Sequence, residues 1–262
     1  MEEDLVITDE AFISNSLRLE VRANSEGELL VANLDLNSIY LFSKDGKKLK
    51  QISRQGRGPG EFISLGDIFM DVKDNLYALD RNYGKVTVFS PPNYEVSDEL
   101  PIKPRLNNQR PEYLFITNDG DYLIAYSEIL SINNSENKDN TLYSIDTSRG
   151  YVKNTVLKYT DDQIFVYANE NRISTMSVPY GYKSILKIGP DGNLFWGKTN
   201  RGNIKIFNEK GIQINSIKID HDPVQIPSKN LQTYKDIASA NDPFAEVTKK
   251  LLESGKIPEV YP

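Results

Sequence analysis

The chain has no cysteine, one histidine (His221), one tryptophan (Trp196), and no apolar run near the roughly 18 residues that span a bilayer. Without cysteine there are no disulfides, no thiolate nucleophile and no thiolate zinc site. One histidine excludes a multi-histidine metal centre, and His221 lies in a linker beside Asp222 and Pro223 with no triad partner in view. Positive charge is also short: 31 Lys and Arg stand against 37 Asp and Glu, for a net charge of −6. A general nucleic-acid binder needs a basic face to displace counterions, so that class is excluded. The first residues, Met1-Glu2-Glu3-Asp4, are acidic where an export signal is basic. Either the chain works in the cytoplasm or a signal has been removed from it. What is present suits a folded, water-soluble protein: 262 residues, 39% hydrophobic and 26% charged.

One pattern recurs four times. Asn24-Ser25-Glu26-Gly27 precedes Glu28-Leu29-Leu30-Val31-Ala32, with Ser38-Ile39-Tyr40-Leu41-Phe42 following. Val72-Lys73-Asp74-Asn75, Thr117-Asn118-Asp119-Gly120 and Gly189-Pro190-Asp191-Gly192 open the other three units. Gly27 to Phe42, Asp74 to Phe89 and Gly192 to Phe207 each span 15 residues. Gly120 to Ile145 spans 25, the excess lying in the polar stretch Ile132–Asn140. The Glu-Gly, Asp-Asn and Asp-Gly pairs supply the positive φ of tight hairpins, and the short runs between them carry β-branched and aromatic residues. Each unit therefore reads as four antiparallel strands. A single such sheet cannot bury both faces, so the units stack as blades of a β-propeller, giving an all-β fold.

The predicted strands are 17–23, 28–33, 38–43 and 48–53 in blade one, and 66–72, 76–80, 85–90 and 95–100 in blade two. Blade three takes 113–118, 122–126, 141–146 and 152–158, and blade four takes 184–189, 194–198, 204–208 and 213–218. From Ser228 to Ser254 the period turns helical. Phe244, Val247, Leu251 and Leu252 make one apolar face, Asp242 suits the N-cap, Pro243 the first helical position and Gly255 the stop. The segment reads as a helical insertion packed on the sheets.

Between the first two units stands Gly56-Arg57-Gly58-Pro59-Gly60-Glu61-Phe62. With the surrounding blades this stretch resembles the six-bladed, NHL-like β-propeller proteins common in Bacteroidota. The resemblance covers about residues 5–262 and implies a single propeller domain, an extracytoplasmic location and an exported or lipid-anchored parent protein. It also implies two blades beyond the four recognised here. Ile257-Pro258-Glu259-Val260-Tyr261-Pro262 looks like the lead-in to a fifth blade, and Leu5-Val6-Ile7 like an outer strand closing the last one. Truncation, completion by another chain and an edge covered by the helices all remain open, with truncation the favoured expectation.

Strands that run up and down place alternate connections on opposite faces. One face collects the segments 33–37, 54–65, 80–84, 101–112, 127–140, 159–183 and 198–203, which read as the longer loops. Ligand sites favour such loops on a rigid frame. The candidate ligand residues there are Arg57, Arg81, Tyr83, Arg110, Arg172, Tyr180, Tyr182, Lys198 and Arg201, with Arg105 and Tyr167 nearby. Cations suit an anionic group, and tyrosines stack on sugar or peptide. Gly56, Gly58, Pro59, Gly60 and Glu61 read as a structural signature: Glu61 replaces the third glycine of a dinucleotide loop and no helix follows. The expected activity is binding of a protein, peptide or glycan, without enzyme chemistry and without a cofactor. The alternative is a metal-dependent lactonase- or lyase-like hydrolase holding calcium on inward carboxylates such as Asp67, Asp71 and Glu112.

Overall fold

The computed structural model describes residues 18–129, 138–169, 172–220, 222, 224–240 and 244–261. Four sheets of four antiparallel strands follow one another, each with its strands side by side in chain order. The first holds β1 (Leu19–Ala23), β2 (Leu29–Asn33), β3 (Ser38–Phe42) and β4 (Lys48–Ser53). The second holds β5 (Leu65–Met70), β6 (Leu76–Asp80), β7 (Lys85–Ser90) and β8 (Glu95–Pro101). The third holds β9 (Gln109–Ile116), β10 (Tyr122–Glu128), β11 (Asp139–Asp146) and β12 (Tyr151–Thr160). After a two-stranded hairpin, β13 (Ile164–Asn169) with β14 (Arg172–Ser177), comes the fourth sheet. It holds β15 (Ser184–Ile188), β16 (Leu194–Lys198), β17 (Asn203–Phe207) and β18 (Gln213–Lys218). A 3-10 turn (Ser228–Leu231) and two helices, α1 (Gln232–Ser239) and α2 (Ala245–Glu253), end the chain.

The repeat signals form the turns they predict. In blade one the Asn24 Oδ1 accepts the amides of Glu26 and Glu28. In blade two the Asp71 Oδ1 does the same for Lys73 and Asn75, and in blade three the Thr117 hydroxyl accepts from Asp121. A polar side chain folding back on its own turn fixes the hairpin, and with it the register of the strands that leave it.

Contacts cluster into two compact units, Met1–Ser127 with Leu142–Thr155, and Glu128–Thr141 with Val156–Pro262. In the first unit, blades one and two share a core. Leu30, Ala32, Ile39 and Leu41 of blade one meet Leu65, Ile68, Leu76, Ala78 and Phe89 of blade two. A second core joins Leu79, Val86 and Leu100 to Leu114, Ile116, Ile124 and Tyr126 of blade three. Each such side chain contributes roughly 1.5–3 kcal/mol on burial. In the second unit, Phe165 and Val178 beside the β13–β14 hairpin pack on Val247 and Leu251 of α2. The helical segment closes on itself at its base. Ile226 N donates to Glu259 O, Tyr261 N donates to Val224 O, and Tyr180 and Tyr261 meet edge to face.

Four segments depart from the expectation read in the sequence. The segment 159–183 is not a plain crossing loop, because it carries β13 and β14 in register from Ile164↔Ser177 to Asn169↔Arg172. The polar insertion ends earlier than expected, since β11 already begins at Asp139. Segments 33–37 and 80–84 are tight turns, pinned when Asn33 Oδ1 accepts from Asp35 and Leu36, and Asp80 Oδ1 from Asn82 and Tyr83. The helical stretch is two helices, broken where Ala240 turns extended (ψ 165°), and Phe244 is 54% exposed rather than on the buried face. Gly255, at φ +67°, does stop α2. Leu5–Ile7, Ile132–Asn137, His221, Asp242 and Pro243 lie outside the described residues.

Candidate functional site

In the first unit the leading strands of three blades, β1, β5 and β9, bring charged side chains together. Arg22 of β1 donates to Glu20 Oε2 at 2.8 Å and to the Ile68 carbonyl at 2.5 Å, and lies 3.9 Å from Asp67 Oδ1. Asp67 Oδ2 accepts the Leu114 amide at 2.7 Å. Burial pushes the Asp67 carboxyl up to about 8, and the neighbouring Glu20 charge pushes the same way. Arg81, expected on an open loop, is turned inward: its side chain lies across Gly66, donates to the Gly66 carbonyl, and pairs with Glu112 Oε1 at 3.1 Å. Arg110 reaches Glu112 Oε2 at 3.4 Å.

The carboxylates proposed for calcium are thus taken by protein donors. Asp71 serves its own hairpin and accepts the Tyr77 hydroxyl. Among the described residues no three His, Cys, Asp or Glu side chains group so as to hold a metal ion.

The glycine signature has a geometric reason. Glu61 folds back so that its Oε2 accepts the Gly58 amide and its Oε1 takes Arg54 Nε, both near 2.8–2.9 Å. A Cβ on Gly56 would collide with that carboxylate. The Gly58 amide and the Arg54 guanidinium hold the Glu61 carboxyl below its usual range. Next to it, Glu99 Oε1 accepts from the Gly60 amide, Lys85 and Thr87. Burial opposes the Glu99 charge, but these donors prevail and lower its pKa. Arg57 and Pro59 sit exposed on this loop. Tyr83 is 52% exposed, with the Lys85 ammonium 5.5 Å from its ring. Arg105 is also exposed.

In the second unit three candidates converge. The Lys198 ammonium stands 4.3 Å over the Tyr182 ring. Arg201 lies in the turn that follows, its amide bonded to the Lys198 carbonyl. Burial, then the Arg201 charge, lowers the Lys198 pKa, while burial and Asp139 raise that of Tyr182. The neighbouring lysines are matched, Lys138 with Asp161 and Lys183 with Asp162. Tyr180 is used structurally: it packs on Tyr261 and its hydroxyl donates to Asn230 O. Tyr167 donates to Glu246 of α2. Arg172 opens β14, and its side chain is outside the described set.

Glu20, Arg22, Lys85 and Glu99 went unnoticed in the sequence. Glu20 and Arg22 share one face of a first strand, and Lys85 and Glu99 pair across the third and fourth strands of blade two, but the charged pattern alone does not say which neighbour each meets.

Stacked four-stranded sheets with cross-sheet cores define a blade protein. The sequence matches a family of 6-bladed beta-propellers over residues 4–188, and the chain belongs to that family. Among solved structures, a Bacteroides fragilis protein described as exported is 17% identical with a TM-score of 0.46, covering 91% of this chain and 68% of that one. Virginiamycin B lyase of Staphylococcus aureus is 12% identical (TM-score 0.40; 79% of this chain and 76% of that one). Hydrazine synthase of Kuenenia stuttgartiensis is 11% identical (TM-score 0.42; 92% and 72%). Likeness of this degree carries no function to this chain. No curated protein matches the sequence.

Proposed function

We propose that this NHL-like propeller is a non-enzymatic binding module, held outside the cytoplasm in an exported or lipid-anchored parent, that recognises an acidic group on a protein, peptide or glycan. The meeting of Tyr182, Lys198 and Arg201 carries the reading. A partly buried lysine crowded by a second cation gains when an anion arrives, and the tyrosine offers an apolar edge beside it. In the first unit Glu112 is paired with Arg81 and Asp67 accepts the Leu114 amide, so neither stands ready for the metal of the alternative reading.

The test is a panel of acidic peptides and uronic-acid glycans titrated against the protein. Lys198→Glu with Arg201→Glu is expected to weaken the best ligand at least about tenfold, since one charge-assisted hydrogen bond is worth roughly 1.5–3 kcal/mol. Binding that ignores both substitutions would sink the reading.

Calcium separates this function from the hydrolase alternative. A site filled about a hundredfold above its dissociation constant adds about 2.7 kcal/mol. Calcium at about 10 mM, well above the constants of extracellular sites, is expected to leave Tm unchanged. A clear rise would favour the metal-dependent enzyme.

A further inference from the structure

A pocket lies in the first unit where β4 runs into the glycine-rich crossing. It encloses about 350 Å³, and Gln51, Ile52, Ser53, Arg54, Pro59 and Glu61 line it. Small-molecule sites span roughly 300–1,000 Å³. The pocket shares no residue with the cluster of Tyr182, Lys198 and Arg201. Its walls are fixed by the backbone. The Phe62 amide donates to Arg54 O and the Gly56 amide to Phe62 O, with the Phe62 ring fully buried. Gly60, at φ +70°, donates its amide to Glu99. A frame already in place spares a ligand the cost of ordering a loop.

The polar groups of the lining are only partly used. Arg54 spends Nε on Glu61 Oε1 at 2.8 Å, and among the described residues its two terminal nitrogens have no partner. Glu61 accepts from Arg54 and from the Gly58 amide, and a carboxylate offers about four acceptor sites. Gln51 donates once, to Ser53 O, which leaves its amide oxygen and one N–H. The Ser53 hydroxyl is buried and, among the described residues, has no hydrogen-bond partner, whereas buried polar groups normally have one.

Donors and acceptors therefore stand side by side, and that excludes simple ions as ligands. Glu61, whose charge the Gly58 amide and Arg54 favour, repels an anion, and Arg54 repels a cation. Adjacent hydroxyls, which donate and accept together, satisfy both kinds of group at once. Pro59, exposed beside them, adds a small apolar surface.

We propose that this pocket binds a neutral sugar unit. Neighbouring hydroxyls bridge Arg54 and Glu61, a further hydroxyl engages Gln51 and Ser53, and a carbon–hydrogen face of the ring lies on Pro59. The site is separate from the one that recognises an acidic group.

The test titrates the full chain with methyl glycosides of neutral hexoses and pentoses, read by ligand-observed NMR. The methyl glycosides of glucuronic acid and glucosamine are the charged comparators. A neutral glycoside is expected to bind, and to bind more tightly than either comparator. Arg54→Ala should weaken it about tenfold and Gln51→Ala about threefold. Both side chains are exposed, so these variants keep the fold, which an unchanged Tm confirms. Glu61→Gln should turn the preference toward the glucuronide, because Arg54 then lacks its counter-charge. No binding of any neutral glycoside at about 50 mM overturns the proposal. So does a charged comparator that binds the unsubstituted protein more tightly, or binding that Arg54→Ala and Gln51→Ala both leave unchanged. Loss of neutral-sugar binding on Lys198→Glu would assign the sugar to the other cluster and overturn it as well.

Discussion

Replacing Asp67 with Asn is expected to remove most of the loss of stability that the chain suffers as pH rises from about 4 to about 8. In the fold, burial and the Glu20 charge raise the Asp67 carboxyl from its ordinary 3.8 to about 8. The folded chain therefore holds a proton that the unfolded chain has released, and stability falls with pH across that window. Below about pH 4 both states are protonated and no penalty exists; above about 8 it is complete and on the order of a few kcal/mol. Asn cannot ionise and keeps an oxygen for the Leu114 amide. Thermal denaturation of both proteins at pH 5, 7 and 8.5 checks this. The Tm advantage of Asp67→Asn should grow with pH, and a constant difference would show that Asp67 is ionised throughout.

Gly150→Ala is expected to lower Tm by roughly 6–12 °C. Gly150 closes the turn between β11 and β12 at φ +66°, its amide donating to Asp146 O. The left-handed conformation alone costs an alanine about 1 kcal/mol. A Cβ there would also strike the Pro101 carbonyl, which is backbone and cannot swing aside. Together these reach about 3 kcal/mol, and each kcal/mol shifts Tm by about 2–4 °C at this size. Gly120→Ala is the control: φ is +84° but no atom lies within 4 Å of the new Cβ, so only the smaller term applies. Equal losses at the two positions would rule out the collision.

Most of the fold could be read in the residues because each blade carries its own punctuation. The Asn24, Asp71 and Thr117 turns act within five residues of sequence, so local chemistry sets the hairpins and the strands follow by alternation. The β13–β14 hairpin escaped because it lacks that punctuation: Ile164-Phe165-Val166-Tyr167 and Ile173-Ser174-Thr175 have strand composition, but Glu170-Asn171 is no blade turn. Turns at 33–37 and 80–84 read as loops because the pinning groups, Asn33 and Asp80, belong to the ends of strands. For the candidate site, residue type was legible and partnership was not. Arg81 and Arg110 read as free cations, yet both meet Glu112: Arg110 from the same strand, and Arg81 only because blade three lies against blade two. Lys198, Arg201 and Tyr182 meet because one tight turn and the crossing before β15 end at the same edge.

The packing of α2 on the β13–β14 hairpin bears on how such a chain could change over time. These pieces are separated in sequence by the whole fourth sheet, yet each is the other's shelter from water. Deleting either alone leaves Phe165 and Val178, or Val247 and Leu251, bare. Because Val224–Ile226 and Glu259–Tyr261 run side by side, the two ends of the helical part lie together. The two pieces should therefore be inherited, exchanged or discarded as a matched pair, a detachable appendage spread over two distant stretches of the gene.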